Sequence, residues 1–294
     1  MITYATMPGD GPSMTRLHRT VQATAMLMLW CVLCVPMADA RAASLERVAF
    51  DSASQRLVSG GLIRGDRIEG YLAKPDGAGP FPAVVGLHGC AGIRDTTRQR
   101  LTDDLVGQGY VVLLVDSYAT RGIDHACTST AFATFLTRRP DAYGALLFLS
   151  RQAFVDPQRV AVVGFSAGAW VTLSVAEPNS FEPFIPPGNL RFRAAAAFYP
   201  PCRQAMARPA IPTLIFIGAL DDWTPAADCS SKVAGWGNDG PPVELIVYPG
   251  AYHGFFYPHL EPGTTLFGHW LEYNGAAADD ARRRLREFLE RYLK

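Results

Sequence analysis

Six apolar runs of strand length dominate the chain, and they constrain its fold more than any other feature. They are 82–87, 110–115, 160–163, 194–199, 212–217 and 243–248, each bounded by turn residues. Within a run such as Tyr110-Val111-Val112-Leu113-Leu114-Val115 the apolar character is nearly continuous rather than alternating. A strand of that kind has no face to give to water, so it belongs in a parallel sheet covered on both sides. Parallel neighbours need crossovers, and the intervals between the runs have the length for them. Segments 97–108, 139–153 and 167–177 carry helical length and patterning. The last segment, about 277–293, is amphipathic, with Leu285, Phe288, Leu289 and Tyr292 opposite an arginine-rich face. Segments 45–50 and 66–73 add antiparallel strands at the start. No internal repeat is visible, and the proline-rich stretch 183–188 reads as a loop. The pattern predicts one three-layer α/β domain over 43–294, a mostly parallel sheet with helices on both faces.

Composition narrows the function classes. The 27 basic and 27 acidic side chains cancel, so there is no electrostatic footprint for nucleic acid. With 49% hydrophobic residues the chain is not a disordered one. The 27 glycines and 22 prolines follow no period and point to a turn-rich globular fold.

The N-terminus reads as a targeting segment, to be set aside before fold reasoning. Arg16, His18 and Arg19 precede an apolar stretch from Val21 to Met37, followed by Ala38-Asp39-Ala40 and Ala40-Arg41-Ala42. That order of basic, apolar and small residues is a secretory signal peptide over 1–42, with 1–13 as an extension and Met14 as an alternative start. The apolar core is shorter than a membrane span, so no stable membrane anchor is expected. The residues before Cys31 and Cys34 are not those of a lipoprotein cleavage signal. Cleavage after Ala42 leaves Cys90, Cys127, Cys202 and Cys229 in a periplasmic or secreted protein. An even number in an oxidising compartment favours disulfides, in any of three pairings; four buried thiols are the alternative.

The strongest local signal is Gly164-Phe165-Ser166-Ala167-Gly168, placed between the 160–163 strand and a helix opening at Ala169. That is the context of a nucleophile elbow: a strained turn lifts the serine hydroxyl clear of the sheet, and the glycines let strand and helix approach. Serine needs a base, and after Ser166 only His253, His259 and His269 remain. His253 directly follows the last core strand, where it can hang over the elbow, whereas His259 and His269 fall in a later aromatic loop and read as surface or packing residues. The acid is expected after the preceding strand, in Gly218-Ala219-Leu220-Asp221-Asp222-Trp223-Thr224-Pro225. Asp221 has the better register, and Asp222 reads as a neighbouring surface or capping carboxylate. Thr224 and Pro225 read as the cap and first residue of the next helix. The loop His88-Gly89-Cys90-Ala91-Gly92 ends the 82–87 strand and assigns one oxyanion-hole amide to Cys90, the other to Ala167. Cys90 as nucleophile is the weaker alternative, because it lacks an elbow.

These stretches, with Val115-Asp116-Ser117-Tyr118, Val155-Asp156-Pro157 and Tyr252-His253-Gly254-Phe255, give the chain from about 44 to 292 its identity as a relative. It resembles the dienelactone hydrolase family of α/β-hydrolases, in particular exported members with a serine. The resemblance implies the α/β-hydrolase fold, no metal or cofactor, and a small-molecule ester or lactone as substrate. The pattern departs in four places. Ser166 stands where such enzymes carry a cysteine, and Gly89 occupies the position of their glutamate. Tyr257 stands where a second substrate arginine is expected, while Arg121 lies one residue from the first. Dienelactone itself is therefore a poor fit. Trp170, Trp223 and Tyr252 are near enough to the candidate triad to line an apolar pocket, with core packing the alternative for Trp170; Arg121 is the candidate anion contact. On this fold Cys90 and Cys127 follow neighbouring strands, as do Cys202 and Cys229, which predicts disulfides 90–127 and 202–229.

The resulting expectation is a serine hydrolase cleaving carboxylic esters or lactones through an acyl-enzyme, with Ser166, His253 and Asp221 as triad. Acyl transfer and peptide hydrolysis use the same machinery. The alternative from another class is a non-catalytic periplasmic binding or accessory protein on the same fold.

Overall fold

The apolar runs assemble side by side into a nine-stranded sheet. The computed structural model describes residues 1–5, 44–128, 137–184, 190–205 and 207–294. The sheet strands are β1 (Ile2–Tyr4), β2 (Glu46–Asp51), β3 (Arg67–Ala73), β4 (Phe81–Leu87), β5 (Val111–Asp116), β6 (Val155–Phe165), β7 (Ala194–Phe198), β8 (Thr213–Gly218) and β9 (Val243–Tyr248). Their spatial order is β1-β9-β8-β7-β6-β4-β5-β3-β2. Only β2 and β3 run antiparallel to their neighbours. The helices among the described residues include α1 (Asp95–Val106), α2 (Arg138–Leu149), α3 (Ala167–Ala176), α4 (Ala226–Gly235) and α5 (Gly275–Leu293). This is the expected three-layer α/β architecture.

Alternate residues of each strand feed opposite cores, as a period of two requires. Val84, Val112, Leu114, Val163 and Phe216 pack with Leu105 of α1 and Leu285, Phe288 and Leu289 of α5. Val85, Leu113, Val160 and Val162 face the other way, onto Leu146 of α2 and Val171 of α3. The alanine run of β7 is a strand because its small side chains let α3 come close: Ala197 packs with Ala169 and Leu173. On the far side aromatics fill the space, Phe198 lying 4.7 Å from Phe165 and 4.6 Å from Phe216 between ring centroids.

Two departures from expectation concern strands. β6 begins earlier than 160, since Val155 already pairs with Phe81; the register then jumps to Ala83↔Val160 across an irregularity containing Pro157, which has no amide proton to donate. At the other edge, Ile2–Tyr4 adds a strand that the apolar runs did not announce. The Met1 ammonium donates to Val243 O at 2.8 Å, Leu245 N to Met1 O at 2.9 Å and Ala5 N to Val247 O at 3.2 Å, so β1 is a parallel edge strand on β9. The leader reading for residues 16–42 lies outside the described residues. Among the described residues no helix is long and apolar enough to cross a membrane.

Sheet order reverses between β4 and β6: the chain moves to β5 on one side of β4, then returns past it and continues outward through β6, β7, β8 and β9. The crevice at the carboxyl ends of strands about such a reversal is the place where open α/β sheets put ligands. The two disulfides brace this end. Cys90 pairs with Cys127 and Cys202 with Cys229, both as expected, with Cα atoms 4.9 Å apart in each.

α3 starts flush against β4. A Cβ on Gly168 would stand 2.2 Å from Leu87 O and 2.5 Å from His88 O, and one on Gly164 2.3 Å from Gly168 O. Gly168→Ala is therefore expected to lower stability by about 1–3 kcal/mol through overpacking against backbone. Gly235→Ala, at an exposed end of α4 with nothing within 4 Å of the new methyl, is expected to be neutral or to stabilise by up to about 1 kcal/mol. Urea unfolding of the two variants checks both.

Candidate active site

The end of β6 forces an unusual conformation on Ser166. Its φ of 51° and ψ of −115° lie where non-glycine residues rarely stay. The conformation is held from two sides: Ser166 N donates to Phe198 O at 2.9 Å, while Ser166 O accepts the first helical bond of α3, from Trp170 N at 3.1 Å. The serine thus stands as the N-cap of a buried helix with its side chain directed away from the sheet's hydrogen bonds, toward His253.

His253 Nε2 is 3.0 Å from Ser166 Oγ, and its Nδ1 is 2.8 Å from Asp221 Oδ2. Asp221 is acceptor-only when ionised, so Nδ1 carries the proton and Nε2 is left to accept from the serine hydroxyl. Both partners are buried, His253 to 3% and Asp221 to 4% exposure. The carboxylate is held by its own loop: Oδ1 accepts from Trp223 N at 3.0 Å and Thr224 N at 2.7 Å. Thr224 Oγ1 sits 2.8 Å from Asp221 Oδ2, 3.1 Å from Tyr199 O and 3.1 Å from His253 Nδ1. The imidazole lies between aromatic rings, 4.8 Å from Tyr199 and 5.1 Å from Trp223 between centroids.

The loops carrying Asp221 and His253 are zipped together. Ala219 N donates to Tyr248 O and Leu220 N to Ala251 O, and Gly218 permits this: a Cβ there would meet Ala251 O at 2.2 Å. Thr224 is not a helix cap, contrary to expectation. α4 begins at Ala226 with Pro225 in the cap position, and the threonine hydroxyl is spent on Asp221 and Tyr199 instead.

The loop after β4 passes close to the serine. A Cβ on Gly89 would be 3.6 Å from Ser166 Cβ, so position 89 faces Ser166. Cys90 and Ala167, the expected amide donors, both border the cavity into which Ser166 opens. Cys90 is tied twice to the loop behind it, by the bond to Cys127 and by Ala126 N donating to Cys90 O at 2.8 Å. Its sulfur is in a disulfide, which leaves no thiolate for the alternative of Cys90 as nucleophile.

Beneath this loop lies a network that the sequence reading missed. His88 Nδ1 donates to Gly89 O at 2.7 Å, and its Nε2 accepts from Ser117 N at 3.2 Å. Arg138, 1% exposed, donates from Nη2 to His88 O at 2.6 Å, and its guanidinium lies over the Tyr118 ring. Burial, reinforced by the Arg138 charge, holds the His88 imidazole well below the ordinary histidine range. Burial, and then Tyr257, likewise pushes the Tyr199 phenol well above its usual value.

The expected substrate contacts divide. Trp223 borders both cavities beside Ser166, and Trp170 borders the larger while also packing in the core under β4. Tyr252 does not line either; its ring stands edge-on to Trp270, 6.5 Å away. Arg121 is also a correction. Its guanidinium makes a two-pronged pair with Asp141 at 2.8 Å per prong, donates to Asp66 at 2.9 Å and to Ser117 O at 2.7 Å. Burial opposes its charge, but the bonds to Asp141 and Asp66 outweigh this and raise its pKa. With its donors committed, Arg121 ties the β5 loop to α2 rather than offering a site for a substrate anion.

Two histidines read as packing residues are in fact at the site. His259 borders the smaller cavity, stacked on Tyr257. His269 borders the larger, stacked on Trp223 at 4.9 Å with planes 12° apart, its Nδ1 3.5 Å from Asp222 Oδ1. His269 comes from a small hairpin, β10 (Thr264–Leu266) and β11 (His269–Leu271), laid over the opening and bridged to His253 through Leu271. The only hint in the sequence is Phe267-Gly268, a turn between two short runs. No group of three or more potential ligands positioned to hold a metal ion occurs among the described residues.

Comparison with known proteins gives the family and the fold. The model of the dienelactone hydrolase family matches residues 68–293. A Synechocystis protein named as a carboxymethylenebutenolidase is 25% identical over 255 residues, covering 78% of this chain and 93% of its own. Among solved structures, a dienelactone hydrolase-like promiscuous phosphotriesterase from metagenomic libraries superposes with TM-score 0.65 at 20% identity, covering 84% of this chain and 99% of its own. The dienelactone hydrolase of Anabaena variabilis gives 0.57 at 18%, covering 85% and 99%. At these identities the two structures speak for the fold.

The neutral His88 has a measurable consequence. Its folded pKa is depressed, so the stability it carries is present above the unfolded value of about 6.5 and is lost as pH falls below it. Stability is expected to drop between about pH 7.5 and 5.5, with His88 contributing a slope of at most about 1.4 kcal/mol per pH unit. Urea midpoints across that range check this: His88→Asn is expected to be less stable at neutral pH but to show a flatter pH dependence than the wild type.

Proposed function

Because the chain belongs to the dienelactone hydrolase family, we propose that it is a serine hydrolase of carboxylic esters or lactones, working through an acyl-enzyme on Ser166. The observation that carries the reading is the unbroken line from Asp221 Oδ2 through His253 to Ser166 Oγ, at 2.8 and 3.0 Å, on a strained elbow.

In this reading the Ser166 hydroxyl attacks the ester carbonyl as its proton passes to His253 Nε2. Asp221, fixed by two amides and Thr224, orients the imidazole and stabilises the imidazolium that forms. The amides of Cys90 and Ala167 receive the developing oxyanion. The carbon–oxygen bond to the leaving group breaks as His253 returns the proton to it. Water, deprotonated by His253, then attacks the acyl-enzyme and releases the acid. The network of His88, Ser117 and Arg138 holds the Cys90 loop from behind. No step calls on a metal or cofactor. The serine at position 166 and the glycine at 89 favour simple esters or lactones over the dienelactones of cysteine-bearing relatives.

The same reading includes a leader over 1–42, removed to release a 43–294 hydrolase domain into the periplasm or medium. The two disulfides support an oxidising compartment. In the mature form β9 becomes the sheet edge.

Purified protein is expected to hydrolyse short-chain nitrophenyl esters. Ser166→Ala is expected to lower kcat at least about 10³-fold, and Asp221→Asn to lower kcat by a similar order with KM little changed. Folded wild-type protein without turnover of any ester or lactone, but with saturable binding of them, would favour the binding-protein reading instead.

A further inference from the structure

The stretch Gly89-Cys90-Ala91-Gly92 contains no side chain larger than a cysteine, and Gly92 sits at a φ of 79°. Its backbone is conformationally permissive and offers few side-chain atoms by which to fix it. The network beneath it grips the carbonyls of His88 and Gly89. At Cys90 itself both ties come from the loop after β5: the sulfur is bonded to Cys127, and the carbonyl accepts from Ala126 N at 2.8 Å. That loop is anchored in turn. Ile123 N donates to Tyr118 O at 3.2 Å, Ile123 and Ala126 pack with Tyr118, and the Tyr118 ring stands edge-on to His88 at 4.5 Å. The two disulfides also differ in reach. Cys90 and Cys127 both border the larger cavity beside Ser166, and Cys127 is only half-buried. Cys202 and Cys229 are 1% and 0% exposed.

We propose that the Cys90–Cys127 disulfide positions the oxyanion amide and acts as a redox switch: the hydrolase works with the bond closed and falls idle when a dithiol opens it. This rests on the acyl-enzyme reading given above, in which the Cys90 amide receives the oxyanion. The opening step is thiol–disulfide exchange. A thiolate of the reductant attacks one sulfur of the pair, the bond between the two sulfurs breaks, and the freed thiolate takes a proton. The reductant's second thiol, giving up its own proton, then attacks the mixed disulfide and releases the other cysteine as a thiol. Two electrons and two protons pass to Cys90 and Cys127, and the dithiol leaves as its own disulfide. Access governs which disulfide yields first, and this is the one on a cavity wall.

With the bond open, Cys90 keeps its hydrogen bond to Ala126 and loses the covalent tie. The Gly89–Gly92 stretch is then free to turn its amide away from the oxyanion. Removing one such donor outright lowers kcat by about 10²–10³-fold, and displacing it part of the time costs less. The triad is spared, because the bonds that hold Ser166, His253 and Asp221 to one another run through other residues. The rate therefore falls while the pH dependence set by His253 stays where it is. Where dithiols keep the pair reduced the chain is idle, and it becomes competent when the bond closes in an oxidising compartment.

The test starts from purified oxidised protein, treated with rising dithiothreitol and desalted without oxygen before assay on a short-chain nitrophenyl ester. Parallel samples trapped with iodoacetamide and mapped by peptide show which cysteines have opened. Cys90 and Cys127 are expected to open first. At that stage kcat is expected to be at least about tenfold lower, with KM within about twofold of its starting value. The midpoint of the pH–rate profile and the near-ultraviolet circular dichroism are expected to be retained, and oxidised glutathione to restore the rate. Cys90→Ala combined with Cys127→Ala removes the bond but keeps the amide at position 90. This variant is expected to show the lowered kcat from the outset and no response to dithiothreitol. Full kcat in the variant, or with Cys90 and Cys127 open, would overturn the switch and leave the serine-hydrolase reading intact. So would a loss that comes only as Cys202 and Cys229 open and the near-ultraviolet signal collapses, because that is unfolding. Oxidised protein that turns over no ester would overturn both.

Discussion

The contact of Gly168 with the carbonyls of Leu87 and His88 is the constraint on which the rest of the site depends. It brings the start of α3 against the end of β4, so that Ser166 and the Cys90 loop can only be neighbours. With no side chain at 168, the first turn of the helix and the last residues of the strand share one space. The strained backbone of Ser166 follows, since strand and helix meet there with no residues to spare. Strain of this kind persists only when its surroundings over-determine it. Here the surroundings are the bond from Ser166 N to Phe198 O, the helix that Ser166 O begins, and two cores that bury both flanking elements.

Around that fixed point, polar groups are held mostly by backbone rather than by one another. Asp221 takes amides from its own turn, and His88 bridges Gly89 O and Ser117 N. The bulky polar side chains Arg138 and Arg121, with Asp141, sit behind the loops that they brace. Hydrogen bonds to charged groups in buried surroundings are among the stronger ones, and leaving one partner unpaired is costly. The loops that carry Cys90, Asp221 and His253 are therefore tied down by hydrogen bonds, with two disulfides adding covalent limits to movement.

Much of this was legible in the sequence because the sheet announces itself. Near-continuous Val, Ile and Leu runs mark parallel strands, and in such a sheet the carboxyl ends of β4, β6, β8 and β9 converge. That is why Cys90, Ser166, Asp221 and His253, each in a motif that follows one of these strands, could be expected together, and why the disulfide pairs followed from neighbouring strands. What was not legible depends on partners remote in sequence or on ambiguous local signals. Arg121 looks like any loop arginine until Asp141 is brought to it from α2. Thr224-Pro225 has the composition of a helix start, yet the threonine hydroxyl had a better use on Asp221. The β10–β11 hairpin consists of three-residue strands, too short to leave a period, so His259 and His269 were placed with ordinary aromatic loop residues. The parallel edge strand β1 depends on β9, which lies at the other end of the chain.

In the proposed reaction Ser166 is the nucleophile, made reactive by its contact with His253, which Asp221 orients. Mass-spectrometric peptide mapping after treatment with a fluorophosphonate tests it most directly, because the reagent bonds covalently only to a serine with an activated hydroxyl. A single adduct is expected on the peptide carrying Gly164-Phe165-Ser166-Ala167-Gly168, abolished in His253→Ala while the fold is retained. An adduct on another residue, or none on folded protein, would contradict it.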